Sequence, residues 1–360
     1  MPDRQIRRAL MTCDTVGGVW TFALELAAGL VDRDIQVVLA ALCGQPSAQQ
    51  AAAVARIPNL CLLTTDFKLE WMHDPWKDVA ESCRWLTRVV REYVPDVIHL
   101  NSYGHGGLPF AQPVVLTAHS CVLSWWSAVK GVPAPAEWSR YRAVVSEALH
   151  AASAVTAPSH FMAAAIGENY GIDSERVKVI PNGCKPDRFH CAPKEPFVFF
   201  AGRLWDEGKN ARALARIAPA LPWPVYVAGE GRAEGCHELG KLAAHEIAEW
   251  YSRAAIYVLP ARYEPFGLSA LEAALSGCAL VLSDIPSLRE IWSDAALFVS
   301  PDDTAALQGA IETLIERPAL LAEMSRRSRR RARIYDADTM TDRYLELYRA
   351  VTSRETVCVS

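Results

Sequence analysis

The chain has 360 residues, 51% hydrophobic and 22% charged, with a formal net charge of -4. That length accommodates two domains of ordinary size, and the composition is that of a folded globular protein. The slightly acidic balance argues against nucleic acid as the main partner. The first apolar run, Ala9 to Thr12, reads as a strand; Gly17 and Gly18 mark a tight turn, and Phe22 to Leu30 has helical spacing. Further short apolar runs follow at Asp34 to Leu42, Pro95 to Ser102, Pro113 to Ser120, Ala154 to Ser159 and Val177 to Gly183. Strands alternating with helical stretches predict a parallel sheet covered on both faces.

The segment CKPDRFHCAPKEP, Cys184 to Pro196, is proline-rich, charged and without period, and reads as a linker. A second alternating series begins at once, with strands expected at Phe197 to Leu204, Pro224 to Gly231, Ala254 to Ala261, Cys278 to Asp284 and Ala295 to Ser300. Thr304 to Arg317 has a helical period, and Ala337 to Val351 reads as an amphipathic helix. The expectation is an α/β protein with an N-terminal domain over 1–184, a linker over 185–195 and a C-terminal domain over 196–337. The helix of 338–360 is expected to pack back on the first.

The ten cysteines form no CxxC pair, and no charged-then-apolar leader opens the chain, so reduced thiols and a cytoplasmic location are expected. No uninterrupted apolar run reaches membrane-spanning length. The basic run RRSRRRARIY, from Arg326, reads first as a solvated helix face; the sharper reading of Arg326 to Arg333 is a contact with the inner membrane face or an anionic acceptor.

In open parallel sheets ligands bind beyond the carboxyl ends of the strands, and the residues there carry chemistry. Gly17-Gly18 would let backbone N–H groups approach an anion at a helix start. Arg203 and Lys209 follow the run FVFFA and could neutralise a diphosphate. The apolar stretch YEPFGLSALEAALSG holds two carboxylates, Glu264 and Glu272. Carboxylates in such surroundings need internal partners or a ligand. A helix beginning near Phe266 or Gly267 and ending at Gly277 would hold a phosphate at its start. Glu272 could then take ribose hydroxyls and Glu264 sugar hydroxyls. His119, at a strand end, has both a core and a functional reading. The same is true of His105 in its glycine-rich setting and of Trp71, Trp76, Trp125 and Trp126, which either pack or stack on a carbohydrate.

The spacing of Glu264 and Glu272 resembles the E-x7-E motif of retaining glycosyltransferases of family 4, and AGRLWDEGKN resembles that family's G-R-x-x-x-x-K segment. GGV, P-x-V-x-T-x-H ending at His119, VYVAGEG and LREIWSDAALFVSPDDTAAL fall in the family's order. The resemblance implies a GT-B fold, two Rossmann-like domains facing across a cleft, and a nucleotide-diphosphate sugar as donor. It also implies roles. Glu272 would bind the ribose and Glu264 the donor sugar. Arg203, Lys209, Gly18 and the amides of Phe266, Gly267 and Leu268 would meet the diphosphate. Leu242 would lie near the base and His119 near the reacting carbon. With side chains supplying the cations, no metal or other cofactor is expected. The acceptor is a saccharide, a lipid-linked group or a small molecule. The chain departs from the family pattern at Pro260-Ala261-Arg262 and at IPSLRE, Ile285 to Glu290. Rival readings are a nucleotide-sugar epimerase or hydrolase on the same fold and a non-catalytic sugar-nucleotide module. An NAD-dependent oxidoreductase lacks its GxGxxG after the first strand.

Overall fold

The structure is a computed structural model that describes residues 6–355. The ends of the first domain's two expected segments, 1–5 and 356–360, lie outside the described residues. The described chain divides into two compact units. One is drawn from Met1–Ser124, Pro133–Gly183 and Ala337–Ser360, the other from Trp125–Val132 and Cys184–Asp336.

The first unit holds strands β1 (Arg8–Asp14), β2 (Gln36–Leu42), β3 (Leu60–Thr64), β4 (Val97–Leu100), β5 (Val114–Thr117), β6 (Ala154–Ala157) and β7 (Val177–Val179). They form one parallel sheet in the order β3-β2-β1-β4-β5-β6-β7. Continuous apolar runs such as ALM in β1 and VVL in β5 are buried because helices cover both faces. β3 has no counterpart among the strands expected from the sequence. It is a sheet-edge strand, LCLLT, half-buried at every position, with only β2 to pair with.

The helices Gly18–Val31 and Ala337–Glu355 both belong to this unit. Phe22, Leu26 and Leu30 of one share a core with Tyr344, Tyr348 and Val351 of the other and with Met11 of β1. Gly29 permits the contact: a Cβ there would lie 2.2 Å from Thr341 Oγ1. On the rim Arg33 reaches Asp342 at 2.7 Å. The terminal helix is thus part of the first unit's hydrophobic core, an apolar stripe that would otherwise face water.

The second unit holds β8 (Glu195–Ala201), β9 (Val225–Ala228), β10 (His237–Glu238), β11 (Ala254–Leu259), β12 (Ala279–Ser283) and β13 (Leu297–Val299). These too are parallel, in the order β10-β9-β8-β11-β12-β13. Phe199, Phe200, Tyr257, Leu282 and Trp292 are fully buried in its core. In each sheet the strand order reverses direction once, between β1 and β4 and between β8 and β11. These are the switch points beyond which the sheet leaves a crevice for ligands.

Candidate active site

Past β8 the chain turns through Gly202 to Asn210, and past β11 through Pro260 to Gly267. Backbone bonds join the two turns: the N–H of Arg262 donates to the Gly208 carbonyl at 2.9 Å and that of Tyr263 at 3.2 Å. Asn210 adds side-chain ties, its Nδ2 donating to Pro260 O and Pro301 O at 2.9 Å each. Its Oδ1 accepts from Arg262 Nη1 at 2.6 Å, and Arg262 also holds Asp302 at 2.7 Å. Pro260-Ala261-Arg262, a departure in sequence, is therefore a clamp between the two loops.

This stitching brings Lys209 and Glu264 together as an ion pair. Glu264 is 7% exposed, so an unpaired charge there would be costly. The carboxylate reasoned above to need a partner or a ligand has an internal partner, Lys209. The Glu264 carbonyl accepts from Ser287 Oγ at 2.5 Å, which gives IPSLRE its structural place. Arg203 is held by Asp206, Nη2 donating at 2.6 Å and Nε at 3.2 Å. The other Asp206 oxygen accepts from the Gly208 N–H at 2.9 Å and from Trp125 Nε1 at 3.3 Å. Burial pushes the Asp206 carboxyl up, but Arg203, Lys209 and the Gly208 amide outweigh it and hold it below the usual range. Asp206 was not among the residues singled out from the sequence; its signal was its place three residues after Arg203 and three before Lys209.

Next to Glu264, Gly267 opens the helix Leu268–Leu275 with φ 91 and ψ 58 and no side-chain cap. A positive φ suits glycine, and a helix start leaves N–H groups unbonded within the helix, with the positive end of the dipole behind them. Its Cβ position would be 3.5 Å from Glu264 Cγ, so this helix start lies beside the Glu264 side chain. Phe266 is buried edge-on to Tyr335. Glu272 lies half-buried one turn further along, near Tyr257, whose hydroxyl donates to Ser269 Oγ at 2.8 Å. Leu242 packs against the core beyond β9, after a turn in which the Gly240 carbonyl accepts from the Gly229 N–H at 2.8 Å.

On the first unit, Gly17 caps the helix Gly18–Val31 with φ 77 and no side-chain bond, and Gly18 is exposed. No acidic residue occupies that helix's first turn. His119 follows β5, half-buried, with Nε2 2.8 Å from Asn101 Oδ1 and its ring edge-on to Phe22 at 4.5 Å. Burial pushes its pKa down to about 3, so the ring is neutral. Beneath it His99 is wholly buried, 2.6 Å from both Tyr348 Oη and Thr117 Oγ1; burial, then the neighbouring His119, lower it to about 3.

Of the two readings of His105, the structure shows the core one: the ring is buried, with Nε2 2.8 Å from Ser82 Oγ. Ser82 donates to the Val79 carbonyl, so it accepts from His105 Nε2–H. The glycine-rich turn around His105 is held by the buried Glu70, whose Oε1 accepts from the Tyr103 N–H at 3.0 Å. Trp76 stacks under Arg140 at 4.3 Å, while Trp71 stays 40% exposed. Within the basic run, Arg326 and Arg327 pair with Glu323, and Arg331 donates to the Ile291 carbonyl at 2.7 Å. No helix among the described residues is long and apolar enough to cross a membrane.

Known proteins share both halves of this arrangement. The model of "Glycosyltransferase Family 4" matches residues 16–188 and that of "Glycosyl transferases group 1" matches 195–317. The chain belongs to glycosyltransferase family 4. It is a retaining hexosyltransferase that draws its sugar from a nucleotide donor. It is 28% identical to glycogen synthase of Mycobacterium tuberculosis, over 74% of this chain and 71% of that protein. To the D-inositol 3-phosphate glycosyltransferase of Xylanimonas cellulosilytica it is 24% identical, over 94% and 93%. Among solved structures, sucrose-phosphate synthase from Thermosynechococcus elongatus superposes with a TM-score of 0.80 at 18% identity, covering 97% of this chain and 100% of that one. Anabaena HepE, in complex with UDP and glucose, gives 0.77 at 16%, covering 95% and 99%. Two parallel-sheet units are the GT-B fold of this family.

Proposed function

We propose that this glycosyltransferase moves a hexose from a nucleoside-diphosphate donor to an acceptor hydroxyl by attack on the face the diphosphate leaves. The observation that carries the reading is the Lys209–Glu264 pair beside an uncapped helix start, at the switch point of the second sheet. Residues 196–337 are the donor-binding domain and 1–184 with 338–360 the acceptor-side domain, joined through 185–195.

The chemistry fits these groups. The C1–O bond breaks with its electron pair going to the diphosphate, leaving positive charge on the sugar ring. The acceptor oxygen bonds to C1 on the same face, and its proton passes to the departing phosphate oxygen. Arg203, Lys209 and the amides of Phe266, Gly267 and Leu268 meet the growing negative charge in a preorganised site, where one well-placed donor contributes about 3 kcal/mol. Glu272 holds the ribose and Leu242 borders the base. Glu264 orients both Lys209 and the sugar. Gly18 approaches the diphosphate, and His119 takes a sugar hydroxyl.

HepE was solved with UDP and glucose, so UDP-glucose is the first donor to test. The relatives carry different acceptors in their names, among them D-inositol 3-phosphate and O-antigen chains, and the acceptor is left as a saccharide, a lipid-linked group or a small molecule. Peripheral membrane contact would rest on Arg329, Arg330 and Arg333, the members of the run not engaged with Glu323 or Ile291.

A thermal-shift screen of nucleoside diphosphates and their sugars tests the donor assignment, since a ligand of the native state raises its melting temperature. One nucleoside diphosphate should raise it at concentrations where the free sugar does not. A protein indifferent to every such ligand would contradict the reading.

A further inference from the structure

We infer that Asn101 is a positioning residue that fixes the proton of His119 on Nε2, so that Nδ1 is presented as a hydrogen-bond acceptor to a hydroxyl of the reacting sugar.

The donors and acceptors around His119 decide its tautomer. Asn101 Nδ2 donates to the Thr12 carbonyl at 2.7 Å. A carbonyl oxygen only accepts, so the amide nitrogen must face Thr12 and Oδ1 must face His119. That oxygen in turn only accepts. The 2.8 Å contact to His119 Nε2 therefore requires a hydrogen on Nε2. A neutral imidazole carries one N–H, which leaves a lone pair on Nδ1. Burial keeps the ring neutral. No hydrogen bond reaches Nδ1 among the described residues.

The lock is itself anchored. The backbone N–H of Asn101 donates to Thr12 Oγ1 at 2.9 Å, so both ends of Asn101 are tied to β1 across the first sheet's switch point. Asn101 is 8% exposed, which makes an amide flip costly, since it would set Nδ2 against the Nε2 hydrogen and Oδ1 against a carbonyl. Phe22, edge-on at 4.5 Å, limits rotation of the imidazole. A ring so held takes a proton-bearing partner and cannot serve as a proton donor at Nδ1. The role in transfer rests on the glycosyltransferase reading, whereas the tautomer does not.

The test uses the full chain with 15N-labelled histidine and two-bond 1H–15N correlation spectra at pH 7, His119 being assigned by its loss in His119→Gln. The expected pattern is the Nε2–H tautomer in the wild type and an averaged pattern in Asn101→Leu. With the donor that the thermal-shift screen selects, Asn101→Leu should lower kcat/KM by about tenfold, the worth of one hydrogen bond to a well-placed group. The affinity for the nucleoside diphosphate alone should change less than about twofold, because Asn101 and His119 are assigned to the sugar and not to the diphosphate. Asn101→Ala serves where the leucine variant does not fold, and the wild-type spectrum needs no variant. An Nδ1–H tautomer or an imidazolium in the wild type would overturn the inference. A scrambled tautomer with unchanged kcat/KM would equally overturn the positioning role. If no sugar nucleotide is turned over, the transfer reading fails by itself and the spectrum still decides the tautomer.

Discussion

At the scale of single residues, the cations assigned to the diphosphate are each balanced by a carboxylate within their own unit, Arg203 by Asp206 and Lys209 by Glu264. A substitution therefore acts in two ways, on the leaving group and on the buried partner left behind. Lys209→Ala strands a buried carboxylate and should cost about 3 kcal/mol of stability, with a fall in kcat of about a hundredfold or more. Adding Glu264→Gln removes the stranded charge. The double variant should recover melting temperature while turnover stays low, and recovery of both together would show that Lys209 serves only to hold the fold. The glycine pair, the two cations and Glu264 stood out in the sequence because each follows a strand, and Glu272 because a carboxylate in an apolar helix needs a partner or a ligand. Asp206 and Asn101 were not, since their work is to hold another side chain, and a holding residue is visible only once its partner's direction is known.

Among elements, the strands that were legible are those with an uninterrupted apolar run, most of them buried along most of their length, as in β1, β5, β11 and β12. The half-buried edge strand β3 and the two-residue β10 were not, having too little apolar run to rise above their loops. Helix ends were legible where a glycine marks them: Gly277, expected as a left-handed cap, has φ 82, and the helix expected near Phe266 or Gly267 begins at Leu268. Close backbone approach was not. A Cβ on Gly229 would lie 1.8 Å from the Gly202 carbonyl oxygen, at φ 146, so β9's exit and β8's exit pass with no room for a side chain. Gly240 has φ 68 but open space around its Cβ position. Gly229→Ala should therefore lower the melting temperature of the second unit by far more than Gly240→Ala, which carries only the backbone cost of about 1 kcal/mol. Equal effects in thermal unfolding would show that the contact yields without strain.

For the whole molecule, the two units differ in what acid does to them. The first holds His99 and His105 buried and His119 half-buried as neutral rings, their pKa values pushed down to about 3, 4 and 3 by burial and, for His99, also by the neighbouring His119. In the unfolded chain each would titrate near about 6.5. Protons then bind the unfolded state first, so stability is full above about pH 6.5 and is lost as pH falls toward the folded-state values. His99 alone would account for on the order of 3 kcal/mol by pH 4. The first unit's unfolding transition should drop steadily between pH 6.5 and 4, and a flat profile over that window would contradict the buried neutral rings. The account as a whole rests on a diphosphate leaving group gripped at the second sheet's switch point. Its most direct measurement is the kcat of Arg203→Ala for sugar transfer, set against the calorimetric affinity of that variant for the nucleoside diphosphate. The account predicts a fall in kcat of about a hundredfold with a much smaller loss of affinity; transfer at the wild-type rate would contradict it.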